Sequence, residues 1–456
     1  MQKELKRKKN HALFIIGILV IALFGIFSYL CYKGIKSNSL KASSHTAFNL
    51  DKKNTENIDQ ISAKRKTMIQ CLTLLIVLFA LVLLSFALLH NFKLFWLWGI
   101  AIFFSLLLGA GITIIWYLEI NSSSKKNNNI VRNDKDVEEF FSAHKKKNPH
   151  MYAAKPEPHF MSMGFLFYSI EVDKEIISLY TYPWLKKDAF KDADIPGSFV
   201  CMNALENTKP WGIHVMRFDH TDALSWQEQF KIHADFDYTK YPFDQQNVTI
   251  LFEHEESLKK IILTPDFGAY KGIAAYSPLA DTFHMSGWTI KNAYFFYELS
   301  DYSTNFGIRD YWQIKNFPFL GYTIQIQRKF MEPLLTGLIP IIIILFIAFS
   351  CLLLLSNVTQ NKNNIRLILA LLSSLFFANV LSYKTLQEEI LTHDITYLKS
   401  FYIITYIIIF LVAVNAVLYT YQYGKIIAYR KNLIARLLYW PITLTIFFVT
   451  TLLFFY

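Results

Sequence analysis

The feature that most limits what this chain can fold into lies at residues 322–355. Tyr322-Thr-Ile-Gln-Ile-Gln-Arg328 alternates apolar and polar side chains, the period of a strand with one buried face. From Pro333 to Leu355 the pattern turns continuously apolar, with Pro340 inside it. A strand of a β-rich soluble domain is therefore joined to a membrane helix with almost no linker. So stiff a joint passes movement from one compartment into the other, as a receptor coupled to a membrane element must.

The chain has 456 residues, 53% of them hydrophobic. A helix needs about 20 apolar residues to cross a bilayer. Seven runs are candidates: 12–32, 68–89, 94–118, 333–355, 366–381, 398–419 and 437–456. The formal net charge of +11 does not point to nucleic acid. Its basic residues gather at membrane edges: Lys3, Lys6, Arg7, Lys8 and Lys9 before the first run, and Lys425, Arg430, Lys431 and Arg436 before the last. Both clusters are expected on the cytoplasmic side, and counting spans from a cytoplasmic N-terminus agrees for both. The large polar region, 120–325, then lies outside the cell or in the periplasm. The first run has a basic head but a longer core than a signal peptide, and no small-x-small site follows, so it reads as an uncleaved anchor. Of the four cysteines, Cys31, Cys71 and Cys351 lie in or beside spans, and Cys201 has no obvious partner in the outer domain.

Four domains are expected: 1–119 with three spans, a polar linker at 120–157, a β-domain at 158–328, and a four-helix domain at 329–456. The linker is rich in Asn, Ser and Lys, with one or two helical turns at 136–144, and is not expected to bury anything. Beyond Pro158, eight to ten short runs of aromatic and β-branched residues are separated by turns. They predict an antiparallel β-sandwich. The run 366–381 is barely long enough to span and carries Arg366, Ser373, Ser374 and Asn379, with Ser382 just beyond. Polar groups at such depth face protein or water, so this helix is the candidate to line an aqueous path.

In Asp235–Ile250, aromatic and acidic residues surround a turn at Tyr241-Pro242-Phe243-Asp244. Pro242 fixes its own φ and holds Tyr241 extended. A large apolar residue such as Phe243 at a loop tip calls for a second surface. This run resembles the signature loop of the pentameric ligand-gated ion channel family (Cys-loop receptors and their prokaryotic relatives). Arg328 followed by Pro340 is similar to that family's entry to its first channel helix. The last four spans resemble its membrane domain, and Asp394-Ile-Thr-Tyr-Leu398 the lead into its third helix. The resemblance covers roughly residues 158–456. Ala234 and Val248 stand where the family's vertebrate members carry the bridging cysteines, so the loop is unbridged. The N-terminal spans have no counterpart in the family core; they are an anchor or assembly aid, or a regulatory module.

The resemblance implies a homopentamer in a lipid bilayer, gated by a small-molecule or proton agonist and conducting inorganic ions. Asp244 and Arg328 would form an ion pair, and Tyr241, Pro242 and Phe243 would press on the 383–397 loop with Asp394. The plainer reading is a turn carboxylate and a snorkelling arginine. If Arg366 marks the inner mouth, a 3.6 period puts Ile368, Leu372, Leu375, Asn379 and Ser382 on the pore face; a slipped register puts Ala370, Ser373 and Phe377 there instead. The family's ligand box is aromatic, and Tyr182, Trp184, Trp226, Tyr311 and Trp312 are its candidates here. His233, His254, His284 and His393 are pH-sensing candidates or ordinary surface groups. There is no P-loop, dinucleotide fingerprint, HExxH or CxxC, so no enzyme active site, cofactor or metal is expected. The alternative function is a non-conducting small-molecule sensor that signals through the N-terminal helices.

Overall fold

The computed structural model describes residues 94–122, 127, 129–153, 157–173, 175–188, 199–207, 211–218, 221–255, 260–270, 278–300, 316–357, 362–390, 394–421 and 431–456. The expected spans 12–32 and 68–89, together with Tyr311, Trp312 and His393, fall outside them. In chain order the elements are α1 (Leu94–Ile120), β1 (Ile130–Val131), α2 (Asp134–Lys147), α3 (Pro149–Ala153), β2 (His159–Asp173) and β3 (Ile176–Asp188). Next come β4 (Phe199–Cys201), β5 (Ala204–Asn207), β6 (Trp211–Phe218), β7 (Thr221–His233), β8 (Gln245–His254) and β9 (Ile261–Pro265). The last are β10 (Leu279–His284), β11 (Trp288–Ser300), β12 (Phe317–Arg328), α4 (Met331–Asn357), α5 (Lys362–Ile390), α6 (Tyr397–Thr420) and α7 (Leu433–Phe455). They group into two compact units. The β unit holds Ser123–Asp237 and Asp244–Lys329; the helical unit holds α1, Tyr238–Phe243 and Phe330–Tyr456.

The β unit has two sheets, one in the order β1-β11-β12-β8-β4 and the other β10-β2-β3-β7-β5, with β6 on β7 and β9 on β2. The alternation in β2 explains the core: Met161, Met163, Phe165 and Phe167 point inward and are at most 1% exposed. Phe165 meets Phe295 and Tyr322 of the other sheet at ring distances of 5.5 and 5.0 Å, so the sheets share one core. Each such ring contributes about 1.5–3 kcal/mol by leaving water. Two edge pairings depart from the antiparallel expectation, because β9 and β10 both run parallel to β2. Turn residues mark where strands end and carry no information on which strand a neighbour will join.

The expected 120–157 linker is corrected in its second half. Residues 134–147 form a capped helix: the Asn133 side chain accepts from Asp136 N at 3.0 Å, and the Asp136 carboxylate accepts from Arg132 N at 2.8 Å. Val137, Phe140, Phe141 and His144 lie at i, i+3, i+4 and i+7 on one face. Phe140 stacks on Tyr297 at 4.6 Å, and His144, 4% exposed, bonds Tyr152 Oη and the Asn316 carbonyl, each at 2.8 Å. Burial holds the His144 imidazole below its ordinary pKa.

Among the described residues the helical unit contains five helices long and apolar enough to cross a membrane: α1, α4, α5, α6 and α7. The fifth, α1, is part of the same core, with Ile112 and Ile115 buried in it. It runs parallel to α7: Leu97 and Ala101 cluster with Leu437, and a Cβ on Gly111 would meet the Phe448 ring at 2.7 Å. The close approach of α1 to α7 requires glycine there. The expected span 366–381 is too short: α5 has 29 residues, about 43 Å of helix at 1.5 Å per residue.

Candidate functional site

The site is built on the turn between β7 and β8. Tyr241 N donates to the Tyr238 carbonyl at 3.0 Å and Phe243 N to the Lys240 carbonyl at 2.8 Å, and the Tyr241–Pro242 peptide is cis. The turn folds Tyr241, Pro242 and Phe243 into the core of the helical unit, with Tyr241 and Phe243 each 1% exposed. The Phe243 ring packs against Trp116 of α1 at 5.4 Å, Phe330 at 5.5 Å, Phe455 of α7 at 5.8 Å and Tyr397 of α6 at 6.3 Å. Tyr241 Oη donates to Glu389 Oε1 near the end of α5 at 2.8 Å. The Thr239 carbonyl accepts from Tyr397 N at 2.8 Å, satisfying one of the amides that a helix start leaves free. The loop thus touches α1, α5, α6 and α7.

Contacts from α1 were not anticipated. Glu119 Oε1 pairs with Lys240 Nζ at 2.7 Å, and Trp116 Nε1 donates to Tyr397 Oη at 2.7 Å. The Tyr397 hydroxyl also meets Thr451 Oγ1 at 2.8 Å. A sequence signal existed: Glu119 is the only acid in α1, placed at its end and opposite in charge to Lys240. The Lys240 side chain is 37% exposed, so Lys240→Met should cost under about 1 kcal/mol of stability, with the loss shrinking as salt is raised. Thermal unfolding at low and high ionic strength checks this.

The next residue, Asp244, belongs to the β unit and is 1% exposed. Its Oδ1 accepts from Arg328 Nε at 2.8 Å and its Oδ2 from Arg328 Nη2 at 3.1 Å, a two-pronged pair. Gln246 Nε2 donates to Oδ2 at 3.0 Å, and the Asp244 carbonyl accepts from Arg328 N at 3.3 Å. The guanidinium carbon sits 4.2 Å from the Trp288 ring centroid, a cation–π contact. The ladder places these groups: Gln245 is opposite Gln327, so Asp244 and Arg328 come next on neighbouring strands.

Asp394 is exposed, and its carbonyl lies 3.4 Å from Lys399 Nζ. Thr396 caps α6 by accepting from Lys399 N. Much of the expected 383–397 loop is helix, since α5 continues to Ile390, with Glu388 and Glu389 in its last turn.

The first choice of pore face is corrected. Ile368, Leu372, Leu375 and Asn379 are 7%, 2%, 6% and 0% exposed within one chain, and Ser382 is half-buried. These residues are the packed face of α5, which continues through Leu386 and Ile390. Asn379 Nδ2 donates to the Tyr402 carbonyl at 3.1 Å. An apolar stripe of the chosen period is what holds a helix to its neighbours, and period alone does not separate that face from one that meets water. Arg366 and the slipped-register set, Ala370, Ser373 and Phe377, are exposed on the opposite face.

The aromatic candidates scatter. Trp226 is core, 4% exposed and against Phe199 at 5.3 Å, with Nε1 donating to Glu228 Oε2 at 2.8 Å. Tyr182 and Trp184 are half-buried on the other face of β3, bonded to Ser225 Oγ and Asp266 Oδ2 at 2.9 Å each. Trp184 covers Gly164, where a Cβ would run into the indole. His254 is 1% exposed, contrary to a surface reading. Among the described residues no group of three His, Cys, Asp or Glu is placed to hold a metal.

Glu228 was not singled out in the sequence, yet it is an acid on the inward face of β7, 7% exposed. Burial raises its carboxyl above the ordinary 4.5, and burial, with a smaller part from the Glu228 charge, pushes the Cys201 thiol up to about 12. An acid with a raised folded-state pKa carries no penalty below its ordinary value, and stability falls as pH rises from there through the folded value. Glu228→Gln should therefore raise the melting temperature at neutral pH, with the gain vanishing below about pH 4. Melting curves across pH test this; a gain that persists in acid would contradict it.

No family model matches the chain, and no curated protein is significantly similar to it.

Proposed function

We propose that this chain is a subunit of a ligand-gated ion channel, in which five copies surround a pore lined by α5. The observation that carries the reading is the loop Tyr238–Phe243. Its six residues pack in the helical unit, while the residues on both sides, Asp237 and Asp244, belong to the β unit. The loop is covalently continuous with β7 and β8 and is held to α1, α5, α6 and α7 by ring packing and hydrogen bonds. The Asp244–Arg328 pair, within the β unit, joins the start of β8 to the end of β12, from which the chain runs on into α4. In this reading the β unit is an extracytoplasmic sandwich and binds a small molecule or protons. Binding shifts a closed–open equilibrium only through its differential affinity for the two states.

The pore face in this reading is the unpacked side of α5, with Arg366 at the inner mouth and Ala370, Ser373 and Phe377 above it. The test is single-channel recording from the purified chain in a planar bilayer, with candidate amines and pH steps applied to the β-domain side. Cysteine at Ser373 should be blocked by a water-soluble thiol reagent, whereas cysteine at Leu375 should not. Electrical silence across those screens from particles of pentamer mass would reject conduction.

A second reading has one observation in its favour. Trp116 and Glu119 of α1 touch the same loop, so a sensor could signal through the N-terminal region without conducting. Silence together with ligand-dependent changes at Trp116 would favour it.

A further inference from the structure

The helical unit contains a cleft that neither the loop nor the α5 face uses. It lies between α1, α4 and α7 and has a volume of about 520 Å³. Its walls are apolar, including Trp98, Phe346, Trp440 and Leu444; Gly109 and Ala110 keep the α1 side open. The polar side chains lining it are Ser105 and Arg436, and no acid does so. Ser105 is satisfied by the Ala101 carbonyl at 2.8 Å. Arg436 differs: among the described residues its buried Nε has no acceptor, and its guanidinium carbon stands 5.9 Å from the Trp98 ring centroid. A guanidinium cannot shed its charge, and a buried donor without an acceptor costs about 1–3 kcal/mol. Among the described residues the cleft is thus lined by apolar groups along its length, with one cation at the end and no acid in its lining.

We propose that this cleft binds an anionic phospholipid, one acyl chain lying along α1 and the phosphate meeting Arg436. Charge complementarity selects the occupant. Arg436 stands at the start of α7, near exposed Lys431, and Lys93 precedes α1 in the sequence. Basic residues concentrate on the cytoplasmic side, so the lipid is drawn from the inner leaflet. The inference rests on the membrane-spanning assignment of α1 and α7 and not on conduction. It gives α1 a role besides its loop contacts, since lipid in the cleft wedges α1 against α4 and α7.

The test is native mass spectrometry of the full chain in detergent, titrated separately with phosphatidylglycerol and phosphatidylcholine of identical acyl chains. Wild type should retain the anionic lipid about fivefold better, the ratio given by about 1 kcal/mol per basic residue. Arg436→Gln should bring the two lipids to parity, and Arg436→Lys should restore part of the preference. A Cβ on Gly109 meets nothing within 4 Å, so Gly109→Phe should fill the cleft and reduce retention of both lipids without disturbing the fold. Millimolar inorganic phosphate should not displace the lipid. Equal retention by wild type, an unchanged preference in Arg436→Gln, or undiminished binding in Gly109→Phe would overturn the proposal. So would displacement by phosphate alone, or no retention of either lipid. Should Arg436→Gln fail to fold, Gly109→Phe decides.

Discussion

Arg328→Gln should destabilise the β unit by about 3–5 kcal/mol, the usual cost of stripping one partner from a buried ion pair. The Asp244 carboxylate is 1% exposed and would be left with Gln246 Nε2 as its side-chain donor. Asp244→Asn should cost less. The Arg328 side chain is 17% exposed and keeps its stacking on Trp288, so water and the indole partly compensate the cation. The double variant should fall short of the sum of the singles, with a coupling of about 0.5–3 kcal/mol. Denaturant unfolding of the purified protein, followed by tryptophan fluorescence, measures all three. Under the proposed channel function, Asp244→Asn should impair opening while leaving ligand affinity nearly intact, as single-channel recording would show. A loss under about 1 kcal/mol in Arg328→Gln would place the pair in the class of solvated surface bridges and remove the tie between β12 and the start of β8.

Phe243→Ala should cost about 3–5 kcal/mol, because a fully buried ring among four aromatic neighbours leaves a cavity its surroundings cannot refill. Trp116, stacked on Phe243, should report the change as a red shift of its emission. Amide exchange in 238–243 should accelerate, while exchange in β2 and β12 should hardly change. Phe243→Leu, which keeps much of the apolar volume, should recover more than half of the loss. If exchange in 238–243 were unaltered, the ring would not anchor the loop, and the coupling role would lose its main support. The contrast with Lys240→Met is informative: both side chains sit in one turn, but one is sealed from water and the other is not.

Much of this architecture is legible in one sequence, and the reasons are local. Apolar runs of bilayer length have few other uses, so α1, α4, α6 and α7 were located within a few residues. Aromatic and β-branched runs located parts of β2 and β8, and alternation located β12, although packing buries both of its faces. The turn Tyr241-Pro-Phe-Asp marked itself, because a large ring beside proline at a hairpin tip must find a second surface. The end of α5 escaped because Lys384, Glu388 and Glu389 lower mean hydropathy, although the buried stripe runs on to Leu386 and Ile390. The helix at 134–147 was expected only as one or two turns at 136–144, because lysine and asparagine composition outweighed its Val137, Phe140, Phe141 and His144 face.

Two decisions belonged to tertiary structure alone. The sides of α5 were assigned only by packing, since a stripe at helical spacing is the same pattern whether it meets protein or water. The role of α1 was also invisible: its apolar surface says that it enters a bilayer, not that Trp116 and Glu119 reach a turn more than a hundred residues away. Hydrophobic burial depends on side-chain type and period, which are written along the chain. Which neighbour does the burying depends on complementary shape and charge between distant segments, and those meet only in the folded molecule.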